Sequence, residues 1–304
     1  MIKYLKHNEI DKQKWNECIL NSFNGIVYAY THYLDVVCPN WEALVKDDYE
    51  MVMPLTWNKK YGKYYIYQPP FTQQLGVFSK EHLTEKIVEK FLLAIPKHFQ
   101  FLEFNLNTYN KLSNKEYNSK AFLTHELDMI SPYEFLYKSY SENTKRNLKK
   151  ANHHQLKILN NCKVDEIINL FKKNKGKEVK AFKPEHYVML NKLYNKFYKV
   201  GFAKAFAVCN SANEIIAGAL FFFSNNKAIF LFSGNSTEGK EKAALFFLID
   251  QFIKNHSEKN LTLDFEGSNN PTLARFYKSF GSKPITYLHV KKNDLPFYLK
   301  WLKK

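Results

Sequence analysis

The sequence has only four cysteines in 304 residues: Cys18, Cys38, Cys162 and Cys209. No two stand in C-x-x-C spacing, and none lies beside a histidine in a zinc-ligand pattern. That excludes a zinc finger or a C-x-x-C redox motif. The four read as free thiols of a reducing compartment. Arginine is scarcer still. Only Arg146 and Arg275 stand among 45 basic residues. Glycine and proline number 10 each, few for a loop-rich sandwich. The longest apolar stretch, 243–253, is interrupted by Asp250 and is too short to span a bilayer. The opening residues, MIKYLKHNEIDK, contain no apolar signal-peptide core, so a cytoplasmic location is expected.

Aromatic residues are plentiful, at 26 Phe and 20 Tyr, and apolar residues make up 45%. A chain of this length and composition can bury one large core or two smaller ones. The formal charge is +16. It reads in two ways: as a surface for a polyanion, or as the lysine excess of an A/T-rich coding bias. The shortage of arginine, whose planar fork suits phosphate and base edges, favours the second.

The hydrophobic pattern gives two halves with one outline. In the first, strands 41–46, 50–57 and 63–68 precede a helix over 81–95 and a strand over 101–106. In the second, strands 203–209, 215–223 and 228–232 precede a helix over 240–255 and a strand over 261–266. A helix over 271–280, a strand over 285–291 and a last short helix holding Phe297, Trp301 and Leu302 follow. The expected class is α/β (α+β): two tandem lobes, each a mixed, mostly antiparallel sheet flanked by helices. The expected lobes are 1–130 and 131–291, with 292–304 packing back on the first.

Strands 228–232 and 261–266 are joined by a helix and should run parallel. Ligands of such sheets bind at strand C-terminal ends and helix N-termini. The connection SGNSTEGKEKAA therefore offers Phe232, Ser233, Gly234, Gly239 and Lys240 as a donor site, with the glycines allowing close approach. An ordinary turn explains the same residues. In LTLDFEGS, strict alternation places Thr262, Asp264 and Glu266 on one strand face. Those two carboxylates line either a cleft or a solvent edge. A basic loop over 172–180 and the helix carrying TKRNLKK complete the polar features. His153 and His154 have no third ligand within reach and read as a polar helix end, so no metal is expected.

The run NNPTLARFYKSFGS, with Ala274, Tyr277 and Gly281 in A-x-x-Y-x-x-x-G spacing, resembles a helix motif of the GNAT acyltransferase superfamily. Ser282 stands where that family usually has Phe. Together with LDFEGS and the upstream SENTKRNLKKA, it resembles the FemAB-like branch, which carries two GNAT-type lobes in one chain. The resemblance implies an N-acyltransferase. Tyr277 would protonate the leaving group, and Glu266 or Asp264 would take the amine proton. Asn269, Asn270 and Arg275 would hold the donor. Gln73 and Gln74 of the QPPFTQQLG loop, with Arg146, would line the acceptor cleft. The implied donor is acyl-coenzyme A; TEGKEKAA, however, departs from the R/Q-x-x-G-x-G/A phosphate loop of coenzyme A enzymes. The alternative donor is aminoacyl-tRNA, with a peptidoglycan precursor as acceptor. A third reading is a binding protein that keeps the fold without the reaction.

Overall fold

The computed structural model describes residues 1–113, 117–174, 176, 182–267 and 269–300. Parts of two sequence expectations, the basic loop over 172–180 and the last helix at Trp301 and Leu302, lie outside these residues. Two compact units divide the chain: residues 1–123 with 285–304, and residues 124–284. The expected boundaries lie at 130/131 and 291/292; those of the compact units both fall inside strands.

The first unit contains β1 (Ile2–Leu5), α1 (Lys12–Asn21), α2 (Thr31–Val37), β2 (Glu42–Lys46), β3 (Met51–Leu55), β4 (Trp57–Lys60), β5 (Lys63–Tyr67), β6 (Phe78–Ser79), α3 (Glu85–Leu93) and β7 (Phe99–Asn105). The expected strand over 50–57 is two strands, because the chain turns at Thr56 and β4 joins a different sheet from β3. One sheet has the order β1-β2-β3-β6. In the other, β4 and β5 form an antiparallel hairpin, and β5 runs parallel to β7 after the α3 crossover. Helix α3 starts where the Thr84 hydroxyl accepts the Ile87 N–H. It buries Val88, Phe91 and Leu92, the positions its period predicts.

Strand β8 (Asn118–Asp128) leads into the second unit. There follow α4 (Tyr133–Lys138), α5 (Glu142–His153), β9 (Lys157–Asn160), α6 (Val164–Lys173), α7 (Pro184–Tyr198), β10 (Ala203–Cys209), β11 (Ile215–Ser224), β12 (Lys227–Asn235), α8 (Thr237–Glu241), α9 (Ala244–His256), β13 (Thr262–Gly267) and α10 (Pro271–Lys278). Then β14 (Lys283–Asn293) returns to the first unit, pairing antiparallel with β7, and α11 (Phe297–Lys300) follows. The second unit's strand order is β8-β13-β12-β11-β10-β9. It repeats the pattern of the first: an antiparallel pair, a helical crossover, a parallel strand, then an antiparallel closing strand.

The helix expected over 240–255 is broken. Ala243 adopts a left-handed conformation (φ 56°) and separates α8 from α9. Asp250, which interrupts the apolar run in sequence, is buried on α9 and accepts a hydrogen bond from the Tyr133 hydroxyl at 2.8 Å. The core of this unit lies under α9 and α10, where Phe221, Phe230, Phe252, Phe265 and Phe280 pack together. No described helix is long and apolar enough to cross a membrane.

Candidate active site

Strands β12 and β13 pair in parallel over three positions only, ending at Ile229 opposite Asp264. Beyond that level each carries one extra residue. On β12 the register against β11 jumps from Phe230–Phe221 to Phe232–Leu220. On β13 the register against β8 jumps from Asp264–Glu126 to Gly267–Thr124. Such bulges bend a strand and increase its twist. Two of them directly past the last shared pair leave the strands unpaired from there on.

The bulges also re-aim side chains. Phe230 belongs to the α9 side, whereas Phe232 faces α6 and packs on Phe171 with ring centroids 4.8 Å apart. Glu266 sits in the left-handed region (φ 59°), so it leaves the alternation that would place it on the face of Asp264. The expectation that Asp264 and Glu266 share a strand face is thereby corrected. An extra residue in β13 moves everything after it by one position.

Asp264 is 1% exposed, and its environment is polar. Its Oδ1 accepts the Thr124 hydroxyl at 2.6 Å and the Glu266 N–H at 2.9 Å. Its Oδ2 lies 3.6 Å from Lys227 Nζ. That ammonium also donates to Glu126 Oε1 at 2.6 Å. Two carboxylates thus share one cation, with Asp264 buried and Lys227 and Glu126 partly exposed. Burial pushes the Glu126 carboxyl above its usual range, Lys227 opposes that, and the charge of Asp264 adds to it. Oδ1 of Asp264 holds the bulge, whereas Oδ2 is buried without a hydrogen-bond partner among the described residues.

On the opposite face, Tyr277 is 9% exposed and stacks on Phe265, with ring centroids 5.2 Å apart. Its hydroxyl makes no hydrogen bond among the described residues. Burial drives its ionisation well above the usual tyrosine range, and the carboxylates of Glu266 and Asp264 add to this. The phenol therefore stays protonated and can donate a hydrogen bond.

The remaining expected site residues separate into three groups. Asn269, Asn270 and Arg275 stand at the start of α10 and along it. Asn270 caps that helix, accepting from Thr272 N at 2.9 Å. Arg275 is exposed and lines an open groove of about 910 Å³ with Ser141, Asn143, Phe246, Thr272 and Lys278. Gly281 (φ 82°) follows α10, where a side chain would meet Ser139.

The glycines of the expected phosphate loop have other work. A Cβ at Gly234 would meet the Ile167 carbonyl and lie 2.9 Å from Leu170 Cβ, so this glycine makes room for α6. A Cβ at Gly239 would meet Ile216 O, and its N–H already donates to Ser236 Oγ at 2.9 Å. These two glycines and Phe232 are accordingly packing residues; the close approach they permit is that of protein backbone. Ser233 pairs with Ala219 on β11, and Lys240 is exposed on α8.

In the first unit, Gln74 is 2% exposed and is spent within its loop. Its carbonyl oxygen accepts from Thr108 N at 3.1 Å and its amide donates to Gln73 Oε1 at 2.7 Å. That corrects its reading as a cleft wall. Gln73 is half-buried beside it, and Arg146 is exposed on α5 of the second unit. Thr124, His125, Glu126 and Lys227 were not singled out in sequence. The one signal for the first three is a run of polar residues, T-H-E, inside a strand. Among the described residues no cluster of three His, Cys, Asp or Glu is arranged to hold a metal ion.

No protein-family model matches the sequence, and no curated protein matches it. Solved structures do. FemX superposes with a TM-score of 0.66 at 12% identity, covering 99% of this chain and 99% of its own. L-PGS from Bacillus licheniformis gives 0.56 at 10% identity, covering 96% of this chain and 95% of its own. The C-terminal domain of a protein assigned as a lysylphosphatidylglycerol synthetase from Agrobacterium fabrum gives 0.55 at 9%, covering 92% and 90%. At these identities the likeness is one of fold, and the fold of this chain is the FemAB-like, GNAT-type one.

Proposed function

We propose that this protein is an acyltransferase that moves an acyl group from an activated carrier to an amine, with Tyr277 as the acid for the leaving group. The observation that carries this reading is the parting of β12 and β13 after Ile229 and Asp264, beside a buried phenol with no partner among the described residues. An acyl group held between the unpaired strands would lie beside backbone N–H groups that no longer pair across β12 and β13. Donors of that kind stabilise the oxyanion of a tetrahedral intermediate. A protonated tyrosine next to them can supply the leaving atom with its proton. Holding both reactants there would account for much of the acceleration. Glu266, on the bulge, remains the candidate to take the amine proton. Arg275 and Lys278, on the groove along α10, are candidates to hold the carrier's phosphates.

A coenzyme A thioester is the carrier the GNAT resemblance implies first. Two observations favour an aminoacyl-tRNA instead. Gly234 and Gly239 are occupied by packing, so the connection after β12 lacks the open glycine backbone that a pyrophosphate needs. The similar folds include FemX and a lysylphosphatidylglycerol synthetase domain, whose name specifies a lysyl group joined to a lipid.

Thermal melting with each carrier distinguishes these. A ligand at 100-fold its Kd stabilises by about 2.7 kcal/mol. A shift with coenzyme A that salt leaves intact supports the thioester. A shift with aminoacyl-tRNA that collapses with added salt supports the second carrier. No shift with either, and no acyl transfer from either, would refute the assignment.

A further inference from the structure

His125 lies on β8 and is fully enclosed, and neither of its ring nitrogens has a hydrogen-bond partner. Burying an unpaired polar ring is costly, and an apolar residue would satisfy this strand position at no such cost. The position is specific. Glu126 pairs with Asp264 and Thr124 with Gly267, so His125 is the single residue of β8 facing the bulge made by Phe265 and Glu266. It thus stands at the level where β12 and β13 have already parted. Its imidazole lies 6.0 Å, centroid to centroid, from the ring of Tyr277. Phe230 and Phe265 complete the surround, at 6.4 and 5.2 Å from the same tyrosine ring. The charged groups felt by the imidazole are Asp264 on β13 and Lys278 on α10.

Two polar tips in one aromatic box, both without a protein partner, point to a shared task. At a ring separation of 6.0 Å the two groups are not hydrogen-bonded as they stand, but they are close enough for a small side-chain rotation to bring nitrogen and phenol oxygen to about 2.8 Å. We infer that His125 is the positioning residue for Tyr277: a small rotation of the imidazole lets its N–H donate to the phenol oxygen and so turns the phenol proton towards the leaving atom. This rests on the acyltransferase reading and deepens it. The proton count closes. The C–N bond forms and the bond from the acyl carbon to its carrier breaks. The Tyr277 proton goes to the leaving atom, the amine gives its proton to Glu266, and that proton returns to the phenolate as the products leave; His125 keeps its N–H throughout and only orients the phenol.

The test combines a double-mutant cycle with imidazole nitrogen NMR on the full chain. His125→Leu is expected to lower kcat roughly tenfold or more with KM for the donor little changed. His125→Asn, which keeps a donor, is expected to recover part of that loss. Adding His125→Leu to Tyr277→Phe should cost little beyond Tyr277→Phe alone, since the two act as a unit. A fully additive loss overturns the inference. In NMR, Tyr277→Phe should shift the His125 nitrogens; an unmoved signal also overturns it. The NMR result stands even if His125→Leu fails to fold. If the wild-type chain transfers no acyl group from any carrier, the functional reading fails while NMR still decides whether the two rings are partners.

Discussion

Thr124 donates its hydroxyl to Asp264 at 2.6 Å, and both residues are almost completely buried. The threonine is on β8 and the aspartate on β13, so this bond closes the strand pair next to the bulge. Asp264 in turn fixes the Glu266 N–H. Hydrogen bonds to a buried charged group contribute about 1.5–3 kcal/mol. Thr124→Val is therefore expected to lower unfolding free energy in urea by that amount, and Thr124→Ser to retain most of it. A valine variant as stable as wild type would show that the bulge holds without this bond.

Gly234 distinguishes packing from ligand contact. It pairs with Gly218 across β11 and β12, and a side chain at either glycine would run into α6. Forcing a methyl group into a closed contact of this kind costs typically 1–3 kcal/mol. Gly234→Ala should lose stability on that scale, with donor affinity preserved in the molecules that remain folded. Unchanged stability with weakened donor binding would return Gly234 to the donor site.

Asp250 gives a pH signature. Burial raises its carboxyl above the usual aspartate value, and the Tyr133 hydroxyl only partly offsets this. The folded state then binds this proton more tightly than the unfolded chain does. The associated stabilisation is fully present below the unfolded value and is lost as pH rises through the raised folded value. Asp250→Asn keeps an oxygen for Tyr133 and removes the charge. It should be more stable than wild type at neutral pH, with the difference shrinking as pH falls towards the ordinary aspartate range. A constant difference across that range in urea titrations would show that ionisation of Asp250 is not the cause.

The order of elements was legible because strand, helix, strand within one sheet imposes a parallel pair; both β5–β7 and β12–β13 obey it. What alternation could not reveal is a one-residue insertion. Thr262, Asp264 and Glu266 read as one face, and nothing in their chemistry announces that Glu266 takes positive φ, although Gly267 beside it is a weak hint. Gly234 and Gly239 were legible as sites of close approach; which backbone approaches is a tertiary fact. Ala243 is a strong helix former that here interrupts a helix, a case where packing overrides propensity. His125 was invisible because a histidine in a strand carries no spacing signal.

Tyr277 is where the functional proposal is most exposed. Its ring packs among Phe230, Phe265 and Phe276, so the phenol's apolar body is part of the core. Its hydroxyl contributes no hydrogen bond to a described residue. Removing that oxygen alone should cost no more than about 1 kcal/mol of folding stability, since at most the contact inferred from His125 is lost and no cavity of consequence opens. The same change removes the acid that the leaving group needs, a contribution of roughly 10²–10⁴ in rate. Tyr277→Phe should therefore separate the two properties: a urea midpoint little altered with kcat reduced by that factor and donor affinity maintained. A variant with full turnover would remove Tyr277 from the chemistry. One that unfolds readily would mean that its oxygen serves the core, and the parted strands would then need another acid.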